Sequence, residues 1–121
     1  MHICFFSVPG ISKSLTHAGG VQTHTKNLVS ILIETGHEVS LITGAGETMN
    51  AGKLSVISVN SSDNGWPNKL WIERAPKVFL DINNKKRIDC IISQGGAVLK
   101  FINLLNSFHI PVVALTHSLS I

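Results

Sequence analysis

Two adjacent glycines, Gly19-Gly20, stand directly before a stretch with helical spacing. The first backbone N–H groups of a helix have no partner inside it, and the helix dipole is positive there, so an anion is favoured at that point. Glycine has no Cβ, which lets a phosphate approach the main chain closely. Gly19-Gly20-Val21 therefore reads as a phosphate or diphosphate cradle or as a plain loop-to-helix turn, and physics alone leaves both open. His117 lies between Thr116 and Ser118, directly after an apolar run. An imidazole so placed can hydrogen-bond a ligand hydroxyl or face a reacting centre; the alternative is an ordinary loop histidine. Ser93-Gln94-Gly95-Gly96 and Gly44-Ala45-Gly46 follow two further apolar runs.

Other chemistries find no support. Gly44-Ala45-Gly46 lacks the third glycine of a dinucleotide fingerprint and follows the second strand rather than the first. No Walker-type lysine loop is present. The six histidines, among them His24 on the first helix, fall in no His-Glu-x-x-His pattern, and the two cysteines in no Cys-x-x-Cys pattern. A zinc site is not expected, and no metal or cofactor is called for. A Gly-x-Ser-x-Gly elbow is also missing, which argues against an α/β-hydrolase.

The elements that must position these residues follow from periodicity. Residues 2–8 read as a buried strand, and 9–20 as a polar loop. Residues 21–35 read as a helix, because Val21, Thr25, Leu28, Val29 and Leu32 share one face. Gly36 stands where a helix-ending glycine belongs. Residues 37–43 and 54–59 read as strands. Residues 69–86 read as a helix with Trp71, Ala75, Val78, Phe79 and Ile82 on one face, and Pro76 is expected to kink or split it. Residues 88–93 and 111–116 read as strands around a helix over 97–106. Strands alternate with helices, and several strands are near-continuously apolar. That combination predicts an α/β fold, a Rossmann-like parallel sheet with helices on both faces. In such sheets ligands bind beyond the carboxyl ends of the strands. The polar and glycine-rich runs all fall there, although any fold of this class also needs turn residues at those places.

Length and charge set the bounds. At 121 residues the chain suits one domain. Charged residues make up 14% and the net charge is +3. The balance is compatible with anionic substrates but shows no basic block of the kind that binds nucleic acid. No apolar run approaches the ~18 residues of a membrane span. The start of the chain reads as a strand rather than a signal peptide, and the location as cytoplasmic. Cys4 and Cys90 lie in apolar strand-like runs and read as buried free thiols; a disulfide would need those strands to be neighbours. The basic residues of the 69–86 helix, beside Trp71 and Phe79, leave open a weak peripheral contact with the inner membrane face, against the plainer reading of a crossover helix.

Met1-His2-Ile3-Cys4-Phe5-Phe6-Ser7, Gly19-Gly20-Val21-Gln22-Thr23-His24-Thr25-Lys26-Asn27-Leu28 and Glu34-Thr35-Gly36-His37-Glu38-Val39-Ser40-Leu41-Ile42-Thr43 resemble the opening of glycosyltransferase family 4. Ile110-Pro111-Val112-Val113-Ala114-Leu115-Thr116-His117-Ser118 resembles a later strand of the same domain. The resemblance is specific over 1–43, moderate over 88–118 and poor over 44–87.

The resemblance implies the GT-B architecture, two Rossmann-like domains across a cleft. The chain would be a partial N-terminal, acceptor-side domain, with the C-terminal donor-binding domain outside it. It implies transfer of a sugar from a nucleotide-sugar donor to a glycan or lipid-linked acceptor, with retention and without a bound metal. Gly19 and Gly20 would lie beside the donor diphosphate and His117 near the transferred sugar. Where the family commonly carries a His-x-His run, this chain has Ser93-Gln94-Gly95-Gly96, so Gln94 and Gly95 are expected on the acceptor side. The fragment alone is expected not to turn over. The alternative is a non-catalytic Rossmann-like module that binds a phosphorylated ligand.

Overall fold

The computed structural model describes residues 1–8, 20–61 and 67–115. Among the described residues six strands form one sheet in the order β3-β4-β2-β1-β5-β6. They are β1 (His2–Ser7), β2 (Glu38–Thr43), β3 (Met49–Ala51), β4 (Leu54–Ser58), β5 (Cys90–Gln94) and β6 (Val112–Leu115). All pairs are parallel except β3 with β4. Helix α1 (Gly20–Glu34) joins β1 to β2, α2 (Lys69–Lys85) joins β4 to β5, and α3 (Ile102–Asn106) precedes β6.

The chain runs outward from β1 through β2 to β4, then jumps back to β5 on the other side of β1. Right-handed crossovers taken in opposite directions place their helices on opposite faces. Side-chain alternation shows the result. Ile3 and Phe5 of β1 pack with Val39, Leu41, Val56 and the α1 residue Val29. Cys4 and Phe6 point the other way, into the larger core with Trp71, Ala75 and Phe79 of α2 and with Phe101 and Leu105. Phe6 is the centre of that core. Its ring lies 6.3 Å from Trp71, 5.9 Å from Phe79 and 5.4 Å from Phe101. The Trp71 indole N–H donates to the Ala97 carbonyl at 2.6 Å, so its one polar atom is satisfied inside the core.

The fold is the expected one, with local corrections. Gly36 ends α1 with φ +94°, a conformation only glycine adopts cheaply. Helix α2 is neither split nor ended at Pro76. A proline there removes one intrahelical hydrogen bond, at a cost of about 3 kcal/mol. Trp71 and Phe79, fully buried on either side of it, hold both halves against the sheet. Asn68 starts α2 by accepting the Trp71 N–H at 3.0 Å. The helix expected over 97–106 is shorter: a 3-10 turn at Leu99–Phe101 leads into a five-residue α3. Its bonds, Leu99 N–H to Gly96 and Phe101 N–H to Val98, span three residues rather than four. Strand β3 was not expected. It pairs back on β4 through a two-residue turn in which Gly52 has φ +60°.

Cys4 and Cys90 do lie on neighbouring strands. The register sets Cys4 against Ile91 and Ile3 against Cys90, so the two thiols sit on opposite faces and are free. No helix among the described residues is long and apolar enough to cross a membrane.

Candidate active site at the carboxyl edge of the sheet

The order of the sheet reverses between β1 and β5, and the carboxyl ends of those strands open the crevice where such folds bind ligands. The last residues of the central strands are polar and buried: Ser7 on β1, Thr43 on β2, and Ser93 with Gln94 on β5. Ser7 and Thr43 are register partners. By alternation Ser7, Thr43 and Gln94 continue the face on which Phe5, Leu41 and Ile92 meet α1. Thr25 stands one turn before Val29 on α1 and is buried on the same side. Its hydroxyl has no hydrogen-bond partner among the described residues. A polar layer thus underlies the first turns of α1, whereas the rest of that face is apolar.

The strand ends are fastened by short bonds to the chain that follows. Thr43 Oγ1 donates to the Ala45 carbonyl at 2.9 Å, and Ser93 Oγ to the Gly95 carbonyl at 3.2 Å. Gly95, at φ +60°, donates its N–H to Leu115 at 2.7 Å and so joins β5 to the end of β6. Arg74 reaches from α2 to the carbonyls of Val59 and Asn60, at 2.8 and 3.1 Å, and holds the chain leaving β4.

Gly20, Gln94 and Gly95 therefore share this edge. Gly20 is the first residue of α1. Gln94 is the buried last residue of β5, and Gly95 is exposed. Gly19 and His117 lie outside the described residues. His24 is on the exposed side of α1. No group of three or more metal-ligating side chains occurs among the described residues.

The opposite, amino edge carries a groove of about 430 Å³ between α2 and the β2–β4 surface, floored by Ser40, Ser55 and Asn50. Its polar atoms serve one another. His2 is 4% exposed, and its Nε2 lies 2.8 Å from Ser40 Oγ. Its Nδ1 lies 3.2 Å from the carbonyls of both Lys86 and Arg87, which fixes the ring proton on Nδ1. The His2 N–H donates to Asp89 at 2.7 Å, and this bond holds the Asp89 carboxyl below its usual range. Lys86 hydrogen-bonds Glu38 and lowers that carboxyl in the same way. Ser55 donates to Asn50 at 2.7 Å. No local motif marks this cluster, since its members are scattered and only a fold brings residue 2 to residue 89.

The sequence pattern of Glycosyltransferase Family 4 matches residues 18–121. No curated protein matches the chain. Among solved structures, sucrose-phosphate synthase from Thermosynechococcus elongatus superposes with a TM-score of 0.76 at 17% identity, over 98% of this chain and 33% of that one. A UGT transferase from Siraitia grosvenorii in complex with UDP superposes with a TM-score of 0.61 at 10% identity, over 95% of this chain and 23% of that one. At those identities the likeness is one of fold. The chain spans about a third and about a quarter of the two proteins.

Proposed function

The chain belongs to glycosyltransferase family 4, and on that premise we propose that it forms the acceptor-side, N-terminal part of a retaining enzyme that moves a sugar from a nucleotide-sugar donor to a glycan or lipid-linked acceptor. The observation that carries the reading is that Gly20, the second glycine of the pair that resembles the family's, opens α1 at the carboxyl edge where the sheet order reverses.

In this reading the acceptor hydroxyl attacks the anomeric carbon on the face from which the diphosphate departs. The difficult charge is the one developing on the leaving diphosphate. Backbone N–H groups at Gly19, Gly20 and the α1 dipole offset it without reorganising, which is the economical way to stabilise a transition state. His117 hydrogen-bonds the transferred sugar, and Gln94 and Gly95 line the acceptor side. A second domain supplies the remaining donor contacts, so this chain alone does not turn over. Weak contact at the inner membrane face is supported by the exposed Lys77 and Lys85 of α2 and Lys86 directly after it, and, with a cytoplasmic setting, would suit a lipid-linked acceptor.

The test is release of nucleoside diphosphate from a panel of nucleotide sugars by the full-length protein, with and without acceptor. Release that depends on acceptor is expected. His117→Ala should lower turnover by orders of magnitude with the fold intact, and Gly20→Val should weaken donor binding. Tight binding of a phosphorylated ligand with no turnover in any mixture would favour the non-catalytic module instead.

A further inference from the structure

We propose that Gly44 is a positioning residue for the carboxyl-edge site, its missing side chain setting the spacing of the β1, β2 and β4 ends. The inference rests on the reading above, that nucleotide binds at this edge. Gly44 directly follows β2. Its N–H donates to the Val8 carbonyl at 2.9 Å, and its own carbonyl accepts the Ser61 N–H at 2.8 Å. One residue thus ties together the chain leaving three parallel strands.

There is no room there for anything larger. A Cβ on residue 44 would lie 2.9 Å from the Val8 carbonyl oxygen, 3.0 Å from Ser61 Oγ and 3.1 Å from Val8 Cγ1. The hydroxyl could turn aside, but the carbonyl is main chain and cannot. Val8 is 2% exposed and packed in the core around Phe6, so the end of β1 has nowhere to retreat. On the other side the Asn68 side chain, itself capping α2, donates to the Ser61 carbonyl. An added methyl must therefore spread the strand ends. Gly44 is not among the glycines with positive φ, so the demand on this position is for space and not for backbone conformation. Gly36 is the converse: φ is +94° and nothing lies within 4 Å of its added Cβ, at the far end of α1. Ligand sites lose affinity steeply when their supporting groups move by even ~1 Å.

The experiment uses the full-length protein with UDP, GDP and ADP as probes, read by calorimetry beside thermal unfolding. Gly44→Ala should weaken whichever nucleotide the parent binds by about tenfold or more, at a temperature where both proteins are folded. Gly36→Ala should lower the melting temperature and leave affinity within about twofold. Parental affinity in Gly44→Ala overturns the proposal, as does an equal loss in Gly36→Ala, which would make the effect one of general stability. A parent that binds none of the three probes removes the nucleotide reading and the role of Gly44 with it. Amide exchange in the unaltered protein needs no variant: bound nucleotide should slow exchange at Gly44, whose N–H closes the junction. Unchanged exchange at saturation overturns the proposal.

Discussion

At the amino edge of the sheet His2, Glu38, Lys86 and Asp89 turn their polar atoms on one another, whereas at the carboxyl edge Ser7, Thr43, Ser93 and Gln94 stand buried behind a rim of glycines. The first arrangement joins parts of the chain more than eighty residues apart and closes the fold. The second anchors its hydroxyls two residues ahead and leaves the following main chain, at Gly95, exposed. Both edges are polar, and the amino one carries the groove of about 430 Å³. What separates the two edges is therefore where their hydrogen bonds go. Residue type does not separate them.

The contrast breaks most visibly at His2. His2→Ala empties a buried site and strands the Ser40 hydroxyl and two carbonyls, so a loss of about 2–4 kcal/mol is expected in urea unfolding. Nucleotide affinity should be unchanged where the variant is folded. A variant with parental stability but weakened nucleotide binding would reverse the assignment of the two edges.

Next in size is the response to pH. The folded carboxyls of Glu38 and Asp89 titrate below their usual range, through hydrogen bonds from Lys86 and from the His2 N–H. The unfolded chain therefore takes up protons first as pH falls. The stabilisation is complete above about pH 5 and is lost progressively as pH falls through the unfolded values and on through the folded ones. On the alkaline side burial pushes the Cys4 thiol far up. There the unfolded chain gives up its proton first, so stability should fall above about pH 8.5. Glu38→Gln should flatten the acid limb and Cys4→Ala the alkaline one in unfolding midpoints measured across pH.

A smaller change tests the carboxyl edge. Thr25→Val replaces a buried hydroxyl that has no partner among the described residues, so stability should hold or rise by about 1 kcal/mol. A drop of that size would mean that the hydroxyl is bonded. Smallest of all, Asp81→Asn removes an exposed pair with Lys85 at 3.3 Å and should change stability by under ~0.5 kcal/mol.

Much of the framework was legible because it is local. The face of Thr25, Leu28, Val29 and Leu32, the stop at Gly36 and the apolar runs of β1 and β2 each fix an element from within a dozen residues. Strand β3 escaped because three exposed residues carry no periodicity and exist as a strand only by pairing with β4. The split allowed for at Pro76 does not occur, because the packing of Trp71 and Phe79 outweighs the local penalty. Alternation and turn residues also put Gly20, Gln94 and Gly95 at the carboxyl edge, where the structure has them. Gly44 showed itself only as the end of a strand, since its significance lies in the distance to Val8 and Ser61.

The two thiols, one on each side of the sheet, give the chain a clock of its own. Cys90 is partly open to solvent while Cys4 is sealed beneath the aromatic core. A thiol reagent in excess should modify Cys90 first, though more slowly than a free thiol, because burial and the neighbouring Asp89 carboxylate push its pKa up. At reagent concentrations where labelling outpaces refolding, Cys4 should then be modified at the rate at which molecules open globally. The interval between the two events, read by mass, times the lifetime of the folded state with no dye, tag or substitution added.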